Sequence, residues 1–290
     1  MVTHPGGAHK DDLLGVSVLL ALHDGVPVER REPTSAELDD AAVAVIDIGG
    51  RHEPQRLNFD HHHFPREHEP TCALSLVLDH LGLYREAKQL CDWLEPAEWF
   101  DSRGPVKTAA HLGVPRRAVA QLHSPVDVTL LRRFAASARL DKGDVLYDFM
   151  QLIGRDLLDY LQGAQQRMRD VEPHVERWTL PVDDGGAVAA LFLPRGAPGA
   201  DEPSHTLGMY ARLRNLGPDL LTALVYPDRR GAGYGLARYE DHPGLDFSRV
   251  AGESDVTFAH KSGFMCKTGA TKPERLKALL SLAWRRPQPS

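Results

Sequence analysis

The chain has 290 residues, 42% of them apolar and 26% charged, the balance of an ordinary soluble globular protein with length for two domains. A formal charge of −6 excludes a global basic footprint for wrapping duplex nucleic acid, while leaving room for a local basic groove. The 3 cysteines include no C-x-x-C pair, which argues against a thiolate zinc knuckle and fits a reducing, cytoplasmic compartment.

In chain order, Met1 to Thr3 is predicted as a strand that ends at His4, with Pro5-Gly6-Gly7 as a turn. Asp11 and Asp12 suit the positive end of a helix that continues from Leu13 to His23. Its apolar stretch is too short to span a bilayer, so no membrane partner is expected. Pro27 to Arg31 is a short candidate strand. Ala41 to Ile48 is a continuous apolar run and predicts a central parallel strand, with Asp47 near its C-terminal end and Gly49-Gly50 closing it.

Helices are expected over Cys72 to Leu81 and Arg85 to Phe100, the second broken by Asp101-Ser102-Arg103-Gly104. Residues 119–140 are mixed, with helical periodicity from about Val128. A long helix from Asp144 to about Val171 has the length of a connector. Beyond Pro181, strands are expected at Ala187–Leu193, Leu220–Tyr226 and Val256–Ala259, and Arg285 to Ser290 reads as a frayed tail. The fold class expected is α/β: a mostly parallel sheet with flanking helices, plus a smaller α+β C-terminal domain. The divisions are 1–140, a connecting helix at 141–175, and 176–290.

Three clusters carry the chemistry: His4, His9 and Asp11 on one strand-to-helix loop, Asp47-Ile48-Gly49-Gly50, and Asp60-His61-His62-His63. Mixed imidazole and carboxylate donors suit divalent ions such as Mn²⁺, Mg²⁺ or Zn²⁺. Two such ions about 4 Å apart share a carboxylate and can activate water for in-line attack on phosphorus. Asp47, held at a rigid strand end, is the natural bridge. Clustered carboxylates without a cation would repel one another and resist ionisation. Either His61 or His62 could be a ligand, leaving the other to donate a proton to the phosphate. Arg229 to Gly235 mixes basic residues, glycines and Tyr234. It could contact phosphate and stack a base, but a hairpin turn is favoured.

Thr3-His4-x-Gly6-x-x-His9-x-Asp11, Asp47-Ile48-Gly49-Gly50 and Asp60-His61-His62 together resemble the signature of the melanocyte-proliferating-gene family of DHH phosphoesterases. Similarity continues at Ala73 to Val77 with His80-Leu81-Gly82, at Phe100 to Gly104, and at His260-Lys261-Ser262-Gly263-Phe264. The chain departs from the family at Ala8, Lys10, Asp12 and His63, which places the substrate in question rather than the metal set.

The resemblance implies a metal-dependent hydrolase, in the closest family a 3′-to-5′ RNA exonuclease. The N-terminal domain would hold the metals and the C-terminal domain would close over substrate. By carry-over, His4, His9, Asp11, Asp47, His61 and Asp101 would be metal ligands. Asp60 would ligate or orient, and His62 would contact the phosphate, the two forming the catalytic pair. Lys10, Arg230, His260 and Lys261 are the candidate substrate contacts. The cofactors expected are two divalent ions, Mn²⁺ first and Mg²⁺ second. The partner expected is single-stranded RNA or a short oligonucleotide, and a homodimer is compatible with this reading. Two alternatives remain: a small-molecule phosphohydrolase, such as a pyrophosphatase or cyclic-dinucleotide phosphodiesterase, and a non-catalytic metal-binding regulatory protein.

Overall fold

The computed structural model describes residues 1–121, 124–182, 186–198 and 201–285; the expected tail at 286–290 lies outside them. The chain forms two compact units, Met1–Gly163 and Ala164–Ser290, and the division falls inside the long helix that the sequence suggests as a connector. Among the described residues, no helix is long and apolar enough to cross a membrane.

The first unit begins with β1 (Val2–Thr3), α1 (Lys10–Leu22), β2 (Val28–Arg30), α2 (Ser35–Asp39), β3 (Val45–Ile46), β4 (His52–Glu53) and β5 (Asn58–Phe59). It continues with α3 (Ala73–His80), α4 (Tyr84–Leu90), α5 (Leu94–His111), α6 (Arg116–Gln121), α7 (Pro125–Ala136), β6 (Arg139–Leu140) and most of α8 (Val145–Val171). Its described strands lie in the order β4-β5-β3-β1-β2-β6. The inner four are parallel and the two edge strands antiparallel. Helix α1 is apolar nearly all round because it is buried, with Val16, Val18, Leu19 and Leu20 in the same core as Ile46, Phe59, Leu74 and Met150.

Two elements differ from expectation. The strand predicted over Ala41 to Ile48 shrinks to Val45–Ile46. The Ala42 amide is turned back onto the Asp40 carboxylate at 2.9 Å, so the first half of the apolar run is a turn. The helix predicted from Arg85 to Phe100 is split at Cys91–Trp93 into α4 and α5. Asp101 lies within α5, and the interruption falls at Gly104 (φ 75°, ψ 169°), ahead of Pro105. Proline disfavours helical backbone in the residue before it, and glycine accepts the positive φ.

Helices α1 and α8 touch backbone to backbone. A Cβ on Gly154 would lie 1.9 Å from the Ser17 carbonyl oxygen and 2.8 Å from the Val18 nitrogen, neither of which can swing aside. Gly154→Ala is therefore expected to cost about 1–3 kcal/mol, as overpacking does. A lowered urea midpoint at unchanged slope would show this; an unchanged midpoint would contradict the close approach.

The second unit contains β7 (Glu176–Pro181), β8 (Ala187–Phe192), α9 (Pro203–Leu213), β9 (Ala223–Pro227), β10 (Tyr234–Arg238), β11 (Val256–Ala259), β12 (Met265–Thr268) and α10 (Pro273–Ala283). Its strands lie in the order β11-β12-β10-β9-β8-β7, with β8 and β9 parallel and the other described pairs antiparallel. Trp178, Phe192, Val225, Leu236, Phe247, Leu276 and Leu280 form its core. The fold is α/β overall, with two mixed sheets and flanking helices.

Candidate metal centre

Strands β5, β3 and β1 are parallel neighbours, so their carboxyl ends open on one sheet edge. Asp60, Asp47 and His4 each follow directly on one of these strands, at the edge where open parallel sheets bind ligands. The start of α1 reaches the same edge, with His9 as its N-cap and Asp11 and Asp12 in its first turn. Asp101 arrives from α5.

Asp47 has φ 61°, a strained value for a non-glycine residue. Its amide is fixed on the Phe59 carbonyl at 2.9 Å. Gly49 follows at φ 97°, against Leu38, where a Cβ would meet a methyl carbon at 2.7 Å. The chain thus turns sharply off β3 and leaves the Asp47 carboxylate facing inward, with 2% of the residue exposed.

Around that carboxylate, His61 Nε2 is 3.2 Å from Asp47 Oδ1 and 2.7 Å from Asp101 Oδ2. His4 Nε2 is 3.4 Å from Asp47 Oδ2, and His9 Nδ1 is 3.4 Å from Asp101 Oδ1. Three donor sets have ligand atoms within 4.8 Å of one another: His4, His9 and Asp47; Asp47, His61 and His62; and Asp11, Asp47, His61 and Asp101. Asp47 belongs to all three.

These atoms face one another without bonding well. His4 Nε2, Asp11 Oδ1, Asp47 Oδ1, His61 Nε2 and Asp101 Oδ2 are buried and lack hydrogen-bond partners, because the close His–Asp approaches miss hydrogen-bond angles. Buried polar atoms are rarely left this way in a folded protein. Divalent cations held by these donor sets would satisfy all five. His4 Nδ1 lies 2.9 Å from the Pro5 carbonyl, so the neutral ring keeps its proton there and turns Nε2 toward Asp12 and Asp47, with Asp12 raising the imidazole. The donor set therefore fits a mixed N/O divalent-metal centre.

The electrostatics agree. Burial, and then repulsion from Asp47, Asp101 and Asp12, pushes the Asp11 carboxyl well up. Burial raises Asp47 as well. For His61, burial alone would lower the imidazole, but Asp101 and Asp47 hold it up at about 10. The contact with Asp101 raises His9 to about 9. Burial would raise Asp60, but bonds from the His62 ring and amide and from the Gly50 amide bring it to about 2.

A cation entering this cluster must displace protons from His9 and His61, which both carry them at neutral pH. Apparent Mn²⁺ affinity is thus expected to rise with pH between 6 and 9, by about tenfold per unit for each proton displaced. Calorimetric titration in buffers of differing protonation enthalpy reads that release; affinity independent of pH would contradict it.

Asp60 and His62 form a pair at the rim. His62 Nδ1 lies 2.7 Å from Asp60 Oδ1, and the His62 side chain is 60% exposed. The Gly50 amide donates to the other Asp60 oxygen at 2.6 Å. Asp47, His4, His9, Asp60, His62 and His63 line a cavity of about 600 Å³.

The expected ligands His4, His9, Asp11, Asp47, His61 and Asp101 are thus brought together with His62 and Asp60. The substrate candidates divide between the units, Lys10 in the first and Arg230, His260 and Lys261 in the second. Lys10 Nζ lies 3.4 Å from Asp127 of α7. Arg230 lines a cavity of about 680 Å³ in the second unit, with Arg229, His205 and Lys267. His260 and Lys261 occupy the β11–β12 turn, where His260 Nδ1 is 2.7 Å from Ser262 Oγ and its ring faces Phe264. Tyr234, considered above as a base-stacking aromatic, is buried in β10, where its hydroxyl accepts the Arg195 amide.

Three supporting residues escape sequence reasoning. Arg30 on β2 is buried against Asp12. Asp12 is visible only as a favourable helix-start charge. Glu98 is fully buried one turn before Asp101 and accepts from Ser75 (2.7 Å), Tyr84 (2.8 Å) and Lys88, tying α3, α4 and α5 together. A Glu inside a helix without a marked apolar face carries no sequence signal of burial.

Comparison with known proteins gives a family-model match over residues 1–77, to MYG1_exonuc, described as "Uncharacterised protein family (UPF0160)". That span holds every ligand candidate except Asp101. No curated protein matches the chain. One solved structure, described as a DHH domain from a member of a family of ribosomal proteins, aligns at 13% identity and a TM-score of 0.33, covering 96% of this chain and 85% of that one.

Proposed function

We propose that the first unit is a divalent-metal-dependent phosphoesterase, and that its substrate is a phosphodiester at the 3′ end of single-stranded RNA or a short oligonucleotide. The observation that carries the reading is the buried Asp47 carboxylate common to three donor sets. The match of residues 1–77 to MYG1_exonuc supports it independently.

In this reading His4, His9 and Asp47 bind one cation, Asp11, Asp47, His61 and Asp101 a second, with Mn²⁺ the expected ion. When bound, such ions activate water and neutralise charge on phosphate oxygens. Asp60 holds His62 through Nδ1, leaving Nε2 to donate a proton to the departing oxygen. The side-chain bond to Asp60 raises the His62 imidazole, a shift in the direction a general acid needs. The exposed Phe258 and Phe264 with Lys261, and the basic turn at Arg229 and Arg230, are surfaces suited to bases and backbone phosphates.

The test is hydrolysis of a short 3′- or 5′-labelled single-stranded RNA with Mn²⁺ and with chelator, comparing wild type with His61→Ala. The expected result is metal-dependent laddering from the 3′ end that disappears in the variant. Hydrolysis of pyrophosphate or a cyclic dinucleotide, with RNA left intact, would instead assign a small-molecule phosphohydrolase. Metal binding with no turnover of any of these would remove the enzymatic reading.

A further inference from the structure

The Arg30 side chain is 2% exposed, and a guanidinium cannot shed its charge when buried. Each of its contacts therefore has to compensate it. Nη1 donates to Asp12 Oδ2 at 2.9 Å, and Nη2 donates to the carbonyls of Gly7 at 3.0 Å and Gly6 at 3.3 Å. The guanidinium carbon lies 4.2 Å from the Phe134 ring centroid. The fork thus grips the middle of the loop that carries His4 and His9, and the first turn of α1 that follows it.

Asp12 completes the grip. Its Oδ1 accepts the His9 and Leu13 amides, each at 2.8 Å, which sets the N-cap of α1. Its Oδ2 accepts from Arg30 Nη1, and the unpartnered His4 Nε2 stands 3.0 Å from the same oxygen. Both Asp12 oxygens are therefore committed, one to the backbone amides at the start of α1 and the other to Arg30. Asp11, by contrast, keeps Oδ1 buried and unpartnered. Adjacent carboxylates on one helix turn divide the work: Asp11 would hold the cation, and Asp12 is the counter-charge of Arg30.

From this geometry we propose that Arg30 is a positioning residue for the His4–His9–Asp47 cation site. With Asp12 as its counter-charge, it fixes the His4–His9 loop so that both imidazoles reach Asp47. The inference rests on the metal-centre reading. It separates the two cation sites: Arg30 touches the loop of the first and none of the Asp11, His61 and Asp101 side chains of the second.

The test is Mn²⁺ titration by calorimetry and electron paramagnetic resonance on wild type, Arg30→Lys and Arg30→Met, with folding checked by circular dichroism in chelator. Lysine keeps the charge and loses the fork, so it reports on positioning even where the methionine variant does not fold. Loss of an orienting partner weakens metal binding by about 10- to 100-fold. Arg30→Lys is thus expected to show that loss at one of two sites, with a mononuclear Mn²⁺ spectrum replacing a spin-coupled one. Two sites of wild-type affinity in the lysine variant, or equal weakening of both, would overturn the positioning role. No Mn²⁺ binding by wild type would instead overturn the metal centre itself.

Discussion

Asp47→Asn is expected to eliminate phosphodiester hydrolysis and Mn²⁺ binding together. The carboxylate offers an oxygen to each of the three donor sets, so one substitution would reach both of the proposed cations. An amide carries no charge to bridge them. Each cation contributes several kcal/mol of transition-state stabilisation. At 1.36 kcal/mol per tenfold in rate, loss of both corresponds to more than about 10³-fold in kcat/KM. The fold should survive, because the Asp47 amide bond to Phe59, not the side chain, holds this turn on the sheet. Replacing a buried, partly uncompensated carboxylate with a neutral amide should leave the metal-free protein as stable as wild type or more so. Retained Mn²⁺ stoichiometry in Asp47→Asn would show that the ions do not share this residue.

His62→Ala is expected to separate binding from chemistry. Its Nδ1 is 3.7 Å from Asp47 Oδ1 but 2.7 Å from Asp60 Oδ1, so its closest bond orients the ring rather than joining it to the metal cluster. Loss of a positioned general acid lowers turnover by about 10²–10⁴-fold. Mn²⁺ affinity should stay near wild type. The rate should also lose its fall at high pH, the limb that reports deprotonation of the acid. A substrate whose leaving group needs no protonation, such as a nitrophenyl ester, should suffer far less from the substitution. Mn²⁺ affinity that falls in parallel with turnover would make His62 a ligand instead.

How much of this is legible in the sequence depends on whether backbone or side-chain context sets the feature. The sheet edge is legible because strand end, glycine turn and ligand coincide. His4 precedes Pro5-Gly6-Gly7, and Asp47 precedes Gly49-Gly50. The length of β3 is not legible, because Ala41 to Val43 are as apolar as a strand requires, while the Asp40 side chain captures the Ala42 amide. Arg30 is hidden for a related reason. Arg30 and Arg31 are adjacent at the end of a three-residue strand, and nothing in the run says which one faces inward. The structure sends Arg31 to Glu29 and Glu37 and buries Arg30.

The second unit is read less well for a different reason. Gly231 to Gly235 looks like punctuation, yet β10 begins at Tyr234. Glycine there is a packing requirement: a Cβ on Gly233 would lie 1.8 Å from the Thr268 carbonyl oxygen, and one on Gly235 would lie 2.6 Å from the Tyr226 ring. In β7, Glu176 and Arg177 share a strand with Trp178, whose buried ring stacks on Phe192, so period-two hydrophobicity is diluted. Glu98 presents the converse case: a carboxylate whose fully buried environment comes from three neighbouring residues distant in sequence.

The most direct measurement is an anomalous difference map at the manganese edge from crystals grown with Mn²⁺. Two peaks about 3.5–4 Å apart are expected, the spacing of two-metal centres. Both should lie within bonding distance of the Asp47 carboxylate, one toward His4 and His9 and the other toward Asp11, His61 and Asp101. A map with no peak at Asp47, or with manganese bound only elsewhere, would contradict the account.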